Sequence, residues 1–292
     1  MPSQEHEALV AAVQAAPPAA GTLEESRAGY DAMLGSNPVA EDVTIEELTI
    51  GNFNADWVST PNSDVNRCIL YLHGGGYVIG SNIGYREFGG RLARATQARV
   101  LVVNYRLAPE NPFPAAVDDA VAAYRYLLGQ GIGASRIMIA GDSAGGGLAI
   151  ATLVALRDAG DPMPACTTCL SPWVDLEMTG DSAQPGAVDD PMVATQGVGD
   201  FAAQYAGEDL RNPLAAPLHA NLAGLPPLLV FVGTREILFD DATRIVEKAQ
   251  SAGVEATLQI GQGLIHVWPV FPLPESAETL ESIGAFTLKN VS

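Results

Sequence analysis

Cysteine is scarce in this chain: only Cys68, Cys166 and Cys169 occur among 292 residues. Three thiols cannot all pair, and their spacing fits no zinc framework, so neither a disulfide scaffold nor a zinc ribbon is expected. Cys166 and Cys169 do form a C-x-x-C pair. They sit in an apolar run that reads as a strand, where residues three apart point to opposite faces, so they are read as core thiols that do not meet. Basic residues are also few, 15 Lys and Arg against 34 Asp and Glu, a formal net charge of -19. Such a surface is soluble and repels polyanions, so neither nucleic acid nor an anionic membrane is expected as a partner. No apolar run approaches the ~18 residues that span a bilayer. The N-terminal stretch carries Glu5 and Glu7, lacks a basic region and is broken by Pro17-Pro18, so it does not read as a signal peptide. A soluble, cytoplasmic protein is the expectation. Histidine is limited to His6, His73, His219 and His266, which narrows any search for a general base.

What the chain does have is hydrophobic residues, 48% of the total, in short runs separated by helical patterns. The predicted strands are Val43–Ile50, Phe53–Val58, Cys68–Leu72, Arg99–Asn104, Arg136–Ala140, Ala165–Leu170, Pro227–Val232 and Ala256–Ile260. Between the later ones lie predicted helices at Phe88–Ala95, Pro114–Leu128, Gly146–Asp158 and Asp241–Ala252. Continuous apolar strands alternating with helices indicate an α/β fold: a mostly parallel sheet covered on both faces and opened by an antiparallel pair. Ligands bind such sheets at the carboxyl ends of the strands. Upstream, a helix over Gln4–Ala16 is stopped by Pro17-Pro18. A second starts at Thr22, with Glu25 at capping-box spacing and Leu23, Tyr30, Met33 and Leu34 as its buried face. Asp175 to Asn212 lacks a strong strand and holds one helical stretch, Gly197–Tyr205. So long an insert in a compact domain is usually a lid or binding element.

Two glycine motifs sit at strand ends. Gly141-Asp142-Ser143-Ala144-Gly145 lies between a predicted strand and a predicted helix. It is the G-x-S-x-G arrangement that presents a nucleophilic serine on a tight turn, its glycines leaving room for strand and helix. By itself it could also be a glycine-rich helix start with a buried serine. Upstream, the run Ile69 to Leu72 leads into His73-Gly74-Gly75-Gly76, a loop type that brings backbone N–H groups to a developing oxyanion. By itself that is also a simple turn or anion nest. Together, in this order, they point to acyl transfer.

With these motifs the chain resembles the hormone-sensitive-lipase-like esterases of the α/β-hydrolase superfamily. The resemblance is carried by His73 to Gly76, Tyr105 to Glu110, Phe113 to Ala116, Asp118-Asp119, Gly141 to Gly146, Ser171-Pro172-Trp173, Gly224 to Pro227 and Gly263 to Trp268. It runs from about Val43 to the C-terminus. It implies an α/β-hydrolase fold over a single domain, 1–292. A small helical cap would be formed by about 1–40 and about 175–212. It also implies a serine carboxylesterase for short- to medium-chain esters that needs no metal or cofactor, with homodimers common in the family. Lactone hydrolysis and acyl transfer on the same residues stay open, as does a non-catalytic ligand-binding role of the kind some relatives have taken after losing the histidine.

The nucleophile is then Ser143. In this fold the order is serine, acid, histidine, which excludes His6 and His73 as the base. His219 precedes a strand in a Pro-rich loop, whereas His266 follows the last strand after a turn at Gly261-Gln262-Gly263, where the family places its catalytic histidine. His73 is read as shaping the oxyanion loop. For the acid, the family usually has an aspartate two residues before a leucine, and here Glu236 stands there. Asp240 is the rival, although Asp240 and Asp241 match an acidic pair that caps the next helix. The resemblance implies the N–H groups of Gly75, Gly76 and Ala144 as the oxyanion hole, and Glu110 and Asp118 as loop anchors. Trp173, Phe201, Tyr205 and Trp268 are candidates for the pocket wall or for plain core.

Overall fold

Among the described residues, eight strands form one sheet in the order β1-β2-β4-β3-β5-β6-β7-β8. They are β1 (Thr44–Ile50), β2 (Phe53–Ser59), β3 (Asp64–Leu72), β4 (Ala98–Asn104), β5 (Ile137–Asp142), β6 (Cys166–Leu170), β7 (Leu228–Arg235) and β8 (Ala256–Ile265). The computed structural model describes residues 1–15 and 21–292; the Pro17-Pro18 break lies outside them. β1 and β2 pair antiparallel, as do β2 and β4, and all later pairings are parallel. The central strands are apolar throughout because both faces are covered. Ile69 and Tyr71 enter one core while Leu70 and Leu72 enter the other. The cysteines follow the same alternation. Cys166 lies in one core and Cys169 in the other, all three thiols are free and buried, and no C-x-x-C pair forms.

Register brings the two glycine motifs together. Leu72, the last residue of β3, pairs with Gly141 near the end of β5. β3 has β4 on one side and β5 on the other, so the direction in which strands are added reverses there, and a crevice opens at such a switch point. β6, β7 and β8 run parallel to them, so the stretches that follow these strands begin at the same edge.

The helices are α1 (Gln4–Ala15), α2 (Leu23–Leu34), α3 (Arg86–Thr96), α4 (Ala115–Gly129), α5 (Ala144–Ala159), α6 (Thr195–Ala206), α7 (Phe239–Ser251) and α8 (Pro274–Asn290). The start of α2 is as its spacing predicts, with Thr22 and Glu25 closing a reciprocal capping box. Its Met33 is exposed rather than buried, at the mouth of a cavity described below. Two other expectations are corrected. Gly261-Gln262-Gly263 is no turn: β8 continues through it to Ile265, with a register shift against β7. Asp118 is exposed and anchors nothing. Its neighbour Asp119, buried on α4, accepts from the Arg106 backbone N–H at 2.8 Å and from its guanidinium at 2.7 Å. Glu110 does act as an anchor, pairing with Arg27 of α2 at 2.7 Å.

Helix α8 was not legible in the sequence. Its buried stripe includes Ser276, Thr279, Gly284 and Thr287 beside Leu280 and Ile283, so the apolar period is diluted by small and hydroxyl side chains. Those hydroxyls are satisfied locally: Thr287 donates to the Ile283 carbonyl at 2.7 Å, and Ser276 to the Trp268 carbonyl at 2.8 Å. No described helix is long and apolar enough to cross a membrane.

Candidate active site

Ser143 is the N-cap of α5 and follows β5 directly, with φ 52° and ψ -122°. A non-glycine residue so placed costs about 1–3 kcal/mol and persists only where its surroundings enforce it. Here the Ser143 N–H donates to the Leu170 carbonyl at 2.8 Å, and its own carbonyl accepts from Trp173 N–H at 2.9 Å. The helix must then pass close to β3. A Cβ on Gly145 would lie 2.0 Å from the Leu72 carbonyl oxygen, so only glycine fits. The first N–H groups of α5, including that of fully buried Ala144, have no acceptor within the helix and carry the positive end of its dipole.

The loop after β3 is held from several sides. Gly75 takes φ 109°, and a Cβ there would meet the Ile79 carbonyl oxygen at 2.1 Å. His73 is fully buried, stacks on Tyr105 at 4.3 Å, and lies with Nδ1 2.7 Å from the Gly74 carbonyl. Since a carbonyl only accepts, Nδ1 carries the proton. Burial pushes the His73 pKa down to about 4, so the ring is a neutral brace for the loop, the shaping role read from the sequence.

Asp142 supplies the other brace, one that sequence reasoning missed. It is fully buried at the end of β5. Its Oδ1 accepts from Tyr71 Oη at 2.7 Å and Gly74 N–H at 3.0 Å, and its Oδ2 from Tyr85 Oη at 2.8 Å. One carboxylate thus joins the residue before Ser143 to the glycine loop. Burial raises its pKa to about 6, against the pull of those donors. The unassigned second position of G-x-S-x-G was the only signal for it.

His266 follows β8 and is 5% exposed. Its Nδ1 lies 2.9 Å from Glu236 Oε2, so the carboxylate fixes the tautomer with Nε2 free to accept a proton. Burial works against the imidazolium. The Glu236 hydrogen bond and charge outweigh it, with Asp190 and Asp142 adding, and the pKa rises above the ordinary 6.5. Glu236 has no exposed surface, and its other oxygen accepts from Ser171 Oγ at 2.8 Å and from the Gly233 N–H. Ser171 Oγ in turn accepts from Val267 N–H at 3.1 Å, which fixes the backbone just after His266. Ser171 was legible only as part of a motif, without a role.

The rival carboxylates point elsewhere. Helix α7 begins at Phe239, with Leu238 at its N-cap position, so Asp240 lies inside the first turn and is not the cap expected of it. It accepts from Ser182 N–H at 2.9 Å and so ties α7 to the insert. Asp241 is buried and accepts from the N–H groups of Val174 and Asp175 at 2.8 and 2.9 Å. Burial raises its pKa to about 7.

Ser143, His266, Gly75 and Gly76 line one cavity of about 200 Å³. Its walls come from α2 on one side (Tyr30, Met33) and from the insert and α6 on the other (Met192, Phe201). No Asp, Glu, Lys or Arg lines it among the described residues. Trp173 is also a wall residue. Tyr205 and Trp268 are core: Tyr205 stacks on Tyr77 at 3.7 Å, and Trp268 packs edge-on to Phe231. Elsewhere, Asp175, Glu177 and His219 bring ligand-type atoms within 4.8 Å of one another. Arg244 at 3.0 Å and Arg211 at 3.2 Å already pair with those two carboxylates.

A serine elbow and a carboxylate-held histidine at the switch point of such a sheet define a hydrolase of the α/β class. The chain belongs to that family, whose sequence model, described as an alpha/beta hydrolase fold, matches residues 69–270. Within it the chain falls among the hormone-sensitive-lipase-like esterases. It is 47% identical over 277 residues to an acetyl-hydrolase of Streptomyces hygroscopicus, covering 91% of this chain and 90% of that protein. It is 35% identical over 253 residues to an esterase of Acinetobacter venetianus, covering 85% and 83%. A crystal structure of an esterase from the bacterial hormone-sensitive lipase family superposes with TM-score 0.96 at 45% identity over 100% of both chains. A hormone-sensitive lipase from a metagenome library does so with TM-score 0.92 at 37% identity, covering 99% and 97%.

Proposed function

We propose that this protein is a serine carboxylesterase that hydrolyses short- to medium-chain esters through an acyl-enzyme on Ser143. The observation that carries the reading is Ser143, held on a strained elbow, lining one cavity with His266, whose Nδ1 is fixed by Glu236. Ser143 Oγ attacks the ester carbonyl as His266 Nε2 takes its proton. The carbonyl oxygen becomes an oxyanion and receives the N–H groups of Gly75, Gly76 and Ala144. His266 then protonates the leaving alcohol. Water adds to the acyl-enzyme with His266 as base again, releasing the acid and restoring Ser143. Glu236 orients the imidazole and stabilises its charged form.

The acyl preference follows from the walls. We read the described parts of about 1–40, with about 175–212, as a cap on a single domain; α2 and α6 supply opposite walls of the cavity of about 200 Å³. An uncharged lining and a net charge of -19 favour neutral esters over anionic ones. The acetyl-hydrolase relative supports the short end of the range. A panel of p-nitrophenyl esters of rising acyl length, with lactones alongside and Ser143→Ala as control, tests the reading. Turnover should peak at short or medium chains and vanish in the control. Activity rising steadily to emulsified long-chain triglyceride would contradict it.

The pH dependence is a separate check. The base works only when neutral, and its pKa is raised by Glu236. The value of kcat/KM for a neutral ester should therefore rise with pH through a midpoint above 6.5, the ordinary histidine value. A flat profile between about pH 5 and about pH 8, with chemistry limiting, would remove His266 as the base.

A further inference from the structure

Helix α2 carries more than a wall of the cavity. It meets the glycine loop and the residues just after it at three points. Arg27 donates from Nε to the Val78 carbonyl at 2.8 Å and from Nη2 to the Ala108 carbonyl at 2.9 Å. Ser81 Oγ donates to Asp31 Oδ2 at 2.7 Å. Tyr30 Oη lies 3.2 Å from Tyr85 Oη.

The direction of that last contact follows from proton counting. The Asp142 carboxylate only accepts, so the single hydroxyl proton of Tyr85 goes to Asp142 Oδ2. Tyr85 Oη is then an acceptor for everything else: it takes the Gly74 N–H at 3.1 Å and the Tyr30 hydroxyl proton. Tyr30 therefore donates. A one-way chain runs from α2 through Tyr30 and Tyr85 to Asp142, and Gly74 N–H is shared between its last two members. Gly74 immediately precedes the loop's two oxyanion donors, and Asp142 immediately precedes the nucleophile.

We propose that Tyr30 is a positioning residue for the oxyanion loop, holding Gly74 to Gly76 in place for the transition state through Tyr85 and Asp142. The inference rests on the esterase reading. It assigns α2 a part in the chemical step, in addition to its part in enclosing substrate. Removing the Tyr30 hydroxyl leaves Tyr85 with one partner fewer and the loop with one restraint fewer, while the ring that lines the cavity remains.

The test is a cycle of Tyr30→Phe, Tyr85→Phe and the double variant, assayed with p-nitrophenyl acetate and butyrate at about pH 8, where Asp142 is ionised. Tyr30→Phe should lower kcat about three- to tenfold, the worth of one hydrogen bond, with KM within about twofold. Affinity for a trifluoromethyl ketone, which forms an oxyanion on Ser143, should fall by the same factor as kcat. In the Tyr85→Phe background the Tyr30 substitution should add nothing, because the link is already cut. Tyr30→Phe is the mild variant and keeps the test readable if Tyr85→Phe folds poorly. Unchanged kcat in Tyr30→Phe, a change in KM alone, or independent multiplication of the two losses would each overturn the inference. Ser143→Ala separates the two levels: if it keeps full activity, the esterase reading itself fails, whereas its loss beside a fully active Tyr30→Phe sinks only the role of Tyr30.

Discussion

Replacing Ser143 with alanine should lower kcat by about a million-fold, the scale on which a serine hydrolase loses its nucleophile. The size follows from mechanism. Without Oγ there is no acyl-enzyme, and what survives is water attack helped by the oxyanion donors and by binding. Stability should change little or rise. The elbow conformation, φ 52° and ψ -122°, is imposed by the Leu170 and Trp173 backbone bonds and by the close approach of α5 to β3, none of which uses the side chain. A fluorophosphonate probe should label the native protein at one residue per chain and leave the variant unlabelled. Full-strength labelling of Ser143→Ala would place the nucleophile elsewhere.

Glu236→Gln should lower kcat by about ten-thousand-fold with the fold intact, as expected when a buried carboxylate no longer selects the histidine tautomer. Glutamine is nearly the same size, and its carbonyl oxygen can still accept from Ser171 Oγ and the Gly233 N–H. Its amide would then face His266 Nδ1 as a donor. That favours the tautomer with the proton on Nε2, the atom that has to accept the proton from Ser143. Asp240→Asn should be nearly silent in turnover, because Asp240 serves Ser182 and the start of α7 rather than the histidine. The decisive measurement is kcat for the two variants side by side, with thermal melts to exclude unfolding. A crippled Asp240→Asn beside an active Glu236→Gln would reverse the assignment of the acid.

Those carboxylates show where sequence reasoning reaches and where it stops. The Ser143 elbow was legible because a serine presented on a tight turn needs a local arrangement of strand, two glycines and helix, and local spacing is what a sequence records. His266 was legible by elimination among four histidines and by resemblance. Glu236 was legible by position, but Asp240 stayed open, because four residues along the chain say nothing about which way a carboxylate turns. The register of β7 between β6 and β8 decides that. It ends the strand at Arg235, leaves Glu236 beneath the loop carrying His266, and sends Asp240 into a helical turn facing the insert.

Local patterns along the chain were enough for the class of fold, the order of strands and helices apart from α8, and the residue types at the strand ends. Periodicity, caps and glycines act over a few residues and need no partner to be read. What converges through space emerged with the folded chain. Tyr71, Gly74 and Tyr85 all donate to Asp142, an acid whose burial no local pattern announced. Ser171 became a bridge between Glu236 and Val267 in the same way. Helix α8 packs through hydroxyl and small side chains that carry little hydrophobic signal, and Asp119 rather than Asp118 took the anchor because helix phase turned one of them inward. In each case the deciding interaction joins residues far apart in the chain or sets the facing of neighbours, and burial in the folded protein makes those polar contacts obligatory.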